Sequence, residues 1–136
     1  MEDYEFKVKY PTTDEIIKLN KEILNRIRVK KADRHNVLSK WQIEGAIDSC
    51  KVQQGDIYDK GVCLIKGLTQ RHSFDSGNRR TAFAVTRQFI LDNNQKFDVE
   101  NSGKQARVLQ GIRERYYTDD EIKYWLRGNN IREFKR

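Results

Sequence analysis

Tyr4, Phe6, Val8 and Tyr10 alternate with Glu5, Lys7 and Lys9, the period of two that marks a strand with one buried face. Pro11 closes this predicted N-terminal strand, which spans 1–11. The period then changes. In "TTDEIIKLNKEILNRI", Thr12 or Thr13 can serve as N-cap, acids fill the first turn, and Ile16, Ile23, Leu24 and Ile27 share one helical face. Helical spacing recurs over about 39–52 (Ile43, Ala46, Ile47, Cys50), 58–71 (Tyr58, Val62, Ile65, Thr69), 78–93 (Ala82, Val85, Phe89, Ile90) and 103–115 (Leu109, Ile112, Tyr116). A sixth helix, about 119–127, opens with the capping box "TDDE", in which Thr118 and Glu121 are the paired residues, and stops at Gly128, Asn129 and Asn130. The fourth segment is the most apolar, which predicts an all-α, compact bundle around a central helix at 78–93, with at most a short sheet. Trp41 and Trp125 fall at core spacing and are expected inside or half-buried. The tail, 128–136, is basic with two apolar residues, as in a frayed end or a partner-binding segment.

At 136 residues the chain has the size of one domain, 1–136, and it contains no repeat, low-complexity tract or flexible linker. Its formal charge of +7 points to an anionic partner: nucleic acid, a nucleotide's phosphates or an acidic protein surface. Cys50 and Cys63 are the only cysteines, and they form neither a zinc-type pair nor a disulfide framework, so reduced thiols are expected. The charged start "MEDYEFKVKY" is unlike a signal peptide, and no apolar run approaches a membrane span, so the expected location is the cytoplasm, with no membrane partner.

The most concentrated chemistry is "RHSFDSGN", residues 71–78, which joins the third and fourth predicted helices. It delivers its residues to a helix N-terminus, where unpaired N–H groups and the helix dipole attract anions. Gly77 lets a ligand approach the backbone without a Cβ in the way. Arg79 and Arg80 stand in the first turn, where cations oppose the dipole unless an anion offsets them. A neutral His72 could take a proton from a hydroxyl, Phe74 would bury itself under the loop, and Asp75 is an oxygen ligand available to a magnesium ion that accompanies a nucleotide. Together these residues suit the transfer of a phosphorus-containing group to a hydroxyl. Singly, each also suits an ordinary turn or a solvated surface.

"HSFDSGNRRTA" resembles the signature of the Fic/Doc (Fido) family, H-x-F-x-(D/E)-(A/G)-N-(G/K)-R, at His72, Phe74, Gly77, Asn78 and Arg80, with "TA" following as in the Doc branch. "WQIEGAID", 41–48, is similar to the helix that precedes the motif in Doc-like proteins, and the likeness covers about 12–127. It implies a Fido-type helical fold and a transferase that uses ATP and Mg. His72 would be the general base toward a target's Ser, Thr or Tyr hydroxyl, with Asn78 holding loop and substrate. Gly77 would line the anion hole, and Arg80, with Arg79 beside it, would hold nucleotide phosphates. A translation factor is the implied target and a small antitoxin the implied partner.

Two departures bear on the activity. Ser76 stands where the family has an acidic metal ligand, with Asp75 one position earlier, so Asp75 and Ser76 together are the metal candidates. Arg79 and Phe83 replace the Gly and second Arg of Fic-type AMP transferases, and a long cation at 79 resembles the Lys of Doc. The expectation is Doc-like phosphate transfer, with AMP transfer as the alternative and a catalytically degenerate nucleotide- or partner-binding Fido protein as a second. An RNA-binding helical domain, carried by the basic stretch 26–35 with Arg28 and His35, is a weaker reading. "SKWQIEGA" lacks the spacing of the inhibitory motif of some Fic proteins, because Lys40 occupies the serine position; Glu44 is expected on the surface of an ordinary helix.

Overall fold

The computed structural model describes residues 7–26, 37–100 and 102–135. It is an all-helical bundle of α1 (Thr13–Arg26), α2 (Lys40–Val52), α3 (Ile57–Gln70), α4 (Asn78–Asp92), α5 (Gly103–Arg113) and α6 (Asp119–Leu126). Every helix read from the spacing forms, with ends within two residues of those expected. Caps account for much of that agreement. Thr12 Oγ1 accepts the Glu15 N–H at 3.2 Å, Ser39 Oγ the Gln42 N–H at 3.2 Å, and Thr118 Oγ1 the Glu121 N–H at 3.2 Å.

The core runs through α3 and α4. α3 packs against α2, α4, α5 and α6, while α4 packs against α1, α3 and α5. Val62, Leu64, Ile65 and Leu68 share one buried cluster with Ala82, Val85, Phe89 and Ile90. α2 comes close to α3 at Gly67, where a Cβ would stand 2.7 Å from Ala46 Cβ. Phe83 packs on Trp125 with ring centroids 6.2 Å apart, so Trp125 is in the core as expected.

Three expectations change. The described part of the expected N-terminal strand, 7–11, is not in a strand, and residues 1–6 lie outside the described residues; among the described residues there is no strand, only an isolated bridge between Val37 and Phe74. Lys9 finds its partner in a side chain instead. Its N–H donates to Asn93 Oδ1 at 2.8 Å and its C=O accepts from Asn93 Nδ2 at 2.9 Å, so a buried amide does the work of a neighbouring strand. Trp41 is 78% exposed, neither in the core nor half-buried. It lies two residues, about 200°, from Ile43 on α2, whose buried face is Ile43, Ala46, Ile47 and Cys50. The tail is not frayed: it is docked as far as Phe134. Phe134 is buried edge-on to Tyr116, Arg132 pairs with Glu121 at 2.6 Å, and the Tyr117 hydroxyl donates to the Arg132 C=O at 3.0 Å.

Tyr4, Phe6, Ile27, Arg28 and His35, together with most of the basic stretch 26–35, lie outside the described residues. Among the described residues, no helix is long and apolar enough to cross a membrane.

Candidate active site

The loop between α3 and α4 is held from three sides. Phe74 is fully buried beneath it, as its place in the motif predicts. The first side is the chain entering α2: the N–H groups of Leu38 and Ser39 both donate to Ser73 O, at 2.9 and 3.2 Å. Asn78, the first residue of α4, reaches back over the loop. Its Oδ1 accepts the Phe74 N–H at 3.0 Å and its Nδ2 donates to Phe74 O at 2.8 Å. Asn78 thus ties both backbone groups of one loop residue to the start of α4.

The third side is Asn20 of α1, to which the sequence reading gave no role. It is fully buried, and its Nδ2 donates to Ser76 O and to Thr81 Oγ1, both at 3.0 Å. One amide thus joins α1, the loop and the first turn of α4. Gly77 lies against it with φ +79, a left-handed conformation that disfavours other residues. A Cβ there would also meet Asn20 Nδ2 and Leu24 Cδ2 at 3.2 Å.

On this fixed backbone the polar side chains point outward. His72, Asp75, Arg79 and Arg80 are exposed, whereas Ser76, Gly77 and Asn78 are half-buried. The structure brings Phe74, Ser76, Gly77 and Asn78 together through hydrogen bonds and packing. No hydrogen bond or ion pair among the described residues joins His72, Asp75, Arg79 and Arg80 to one another. Gly77 supplies no side-chain cap to α4, and neither arginine meets a carboxylate among the described residues. The first turn of α4 therefore keeps open N–H groups and two unneutralised guanidinium groups, which is the electrostatics of an anion site.

No group of three or more metal-ligating side chains forms among the described residues. The loop carries one carboxylate, Asp75, and the neutral Ser76, whose carbonyl already accepts from Asn20. That set is too small for an all-protein magnesium site, but it fits an ion that keeps waters and a nucleotide's phosphate oxygens as its other ligands. The thiols offer no rival nucleophile. Burial pushes Cys50 up to about 12 and also raises Cys63, so neither supplies thiolate near neutral pH.

No family model matches the chain, and no curated protein matches it. The likeness to the Fic/Doc family rests on the motif and its neighbours alone.

Proposed function

We propose that this chain is a Doc-like Fido enzyme that transfers the terminal phosphate of ATP to a hydroxyl side chain of a target protein. The observation that carries the reading is the start of α4: a helix N-terminus with no side-chain cap, where Arg79 and Arg80 meet no carboxylate among the described residues, on the same braced loop as an exposed His72. The N–H groups of that first turn and the two guanidinium groups take the phosphates, with Arg80 as the clamp. Neutral His72 accepts the proton of the target's Ser, Thr or Tyr hydroxyl as the oxygen attacks the terminal phosphorus. The bond from that phosphorus to its bridging oxygen breaks, and ADP leaves. Asp75, with Ser76 beside it, would hold a magnesium ion together with the phosphates, where the ion would neutralise their charge. The long cation at 79 favours transfer of phosphate over AMP, and the resemblance makes a translation factor the target and a small antitoxin the partner; the cytoplasm is the location proposed with them.

The test is incubation of the chain with cytosolic extract, magnesium and ATP labelled at either the α or the γ phosphate, with His72→Ala alongside. Label from the γ position alone, dependent on His72, supports the proposal. Label from the α position makes the chain an AMP transferase. No His72-dependent transfer from either position removes the enzyme reading. Ser76 favours one further outcome, a degenerate nucleotide binder, which predicts transfer only after Ser76→Asp.

A further inference from the structure

Charge on this molecule is sorted by face. The five ion pairs among the described residues all lie on α3, α6 and their flanks, and use Lys66, Lys123, Arg127 and Arg132. Arg79, Arg80 and Arg87 of α4 and Arg113 of α5 are exposed and enter none of them. Helical geometry puts these four in a row. Arg79 and Arg80 line a cleft of about 440 Å³ between α1, α4 and α5. At about 100° per residue, Arg87 falls between the directions of Phe83 and Ala84, which line the same cleft. On α5, Arg113 stands one turn beyond Leu109 and almost in line with Ser102 and Ala106, all three of them cleft residues. Gln70, the last residue of α3, donates to Ile112 O at 2.9 Å and so fixes that end of α5 at the root of the loop leading to α4. The row therefore runs from Arg87 past Arg80 and Arg79 to Arg113. Arg87 is about 12 Å along the helix from Arg79, well past the first turn in which a helix start attracts anions.

No carboxylate lines the cleft, and its small side chains, Ala84 half-buried and Ala106 exposed, let a chain come close. Spaced guanidinium groups that the protein's own acids leave unpaired suit phosphates repeated along a chain, each held by a planar two-pronged donor. A cleft of this volume admits one strand and not a double helix. Ser102, the N-cap of α5, is exposed at its edge and its hydroxyl caps no backbone N–H, so it is available to a ribose 2′-hydroxyl, which DNA lacks. We infer that this face of α4 and α5 binds single-stranded RNA, with phosphates along Arg87, Arg80, Arg79 and Arg113 and a ribose hydroxyl at Ser102. Binding there needs neither the basic stretch 26–35 nor phosphate transfer by the loop.

The experiment is fluorescence anisotropy of the full chain with a labelled single-stranded RNA of mixed sequence, the same sequence as DNA, and polyglutamate as competitor, over a series of salt concentrations. Four phosphate contacts give the logarithm of the binding constant a slope of about −3 against log salt, about 0.7 for each phosphate on a single strand. Arg87→Gln combined with Arg113→Gln, both outside the proposed transfer site, should weaken RNA binding and bring the slope to about −1.4. Lys18→Gln combined with Lys21→Gln removes the same charge from exposed positions on α1 and should leave the slope at its wild-type value. RNA should bind about threefold or more tighter than DNA, the worth of one hydrogen bond, and Ser102→Ala should close that gap. All these substitutions are at exposed positions, and circular dichroism checks that each variant keeps its helices. The inference is overturned by no RNA binding, by a slope that the arginine pair leaves unchanged, by an equal loss from the α1 pair, or by DNA bound as tightly as RNA. Polyglutamate that displaces the RNA at equal charge would also overturn it and make the face one for an acidic protein.

Discussion

α6 and α4 begin with the same chemical problem and answer it in opposite ways. Each helix opens with N–H groups that have no partner within the helix. At α6 the chain supplies them: Thr118 Oγ1 accepts from Glu121 N–H, Glu121 Oε1 accepts from Thr118 N–H at 3.0 Å, and Asp119 and Asp120 add negative charge in the first turn. α3 does likewise with Asp56 and Asp59, whose carboxylates also meet Arg127 and Lys123. α4 opens instead on a left-handed glycine with no side-chain cap and two arginines. The capping residues available to the chain appear where only stability is at issue. At α4 the helix start is left bare while the loop leading to it is held through Ser73, Ser76 and Asn78, a pattern that suits a binding site.

The largest predicted effect tests the chemistry at the bare end. His72→Ala should lower target labelling by about 10²–10⁴-fold, the usual worth of a general base, with the melting temperature unchanged. Next comes the bracing. Asn20→Ala removes the buried hydrogen bonds to Ser76 O and Thr81 Oγ1 and should cost about 1–3 kcal/mol in urea unfolding. Thr118→Ala should cost about 1 kcal/mol and leave labelling untouched, since the cap serves the fold alone. Arg80→Gln inverts the usual sign: relief of the dipole should stabilise the free protein by about 0.3–1 kcal/mol, while ATP binding weakens. An Arg80→Gln protein less stable than wild type would mean that the arginine already has an internal partner.

The smallest effect lies in pH. The Arg132 guanidinium and the Thr118 N–H hold Glu121 below the usual carboxylate range. A carboxylate depressed in the folded state stabilises fully above its unfolded value, and that stabilisation fades as pH falls through the folded one. Thermal melts should therefore show a shallow acid-side decline that Glu121→Gln flattens, because glutamine keeps the cap but does not titrate. At this solvent-exposed pair the change is small.

What could be read from the sequence followed what is local. Helix periods and capping residues lie within a few positions of each other, and all six helices were legible. The alternation at 4–10 reports only alternating burial; it cannot say that the partner of Lys9 is an amide 84 residues away. Trp41 was misread because its apolar side chain was weighed above its position, about 200° from Ile43 and off the face that Ile43, Ala46, Ile47 and Cys50 already defined. Phe134 was missed because docking of the tail depends on Tyr116 and Glu121, remote in sequence and unmarked by any period. For Asn20 a signal existed: it stands four residues from both Ile16 and Leu24, a polar side chain on an otherwise apolar face. A buried asparagine there needed partners, and the loop provides them. The residue types of the loop were readable, and so was the burial of Phe74. The outward stance of His72, Asp75 and the arginines depends on the three-sided bracing and was not.

An asparagine at each end of α4 grips both the N–H and the C=O of a residue outside any helix, Asn78 on Phe74 and Asn93 on Lys9. In hydrogen exchange the two gripped amides should behave like helical ones, slow to take up deuterium, while neighbours in the same irregular segments exchange fast. Each slow amide would then report on the anchorage of its own segment, and the Phe74 signal would measure how often the loop under His72 comes loose.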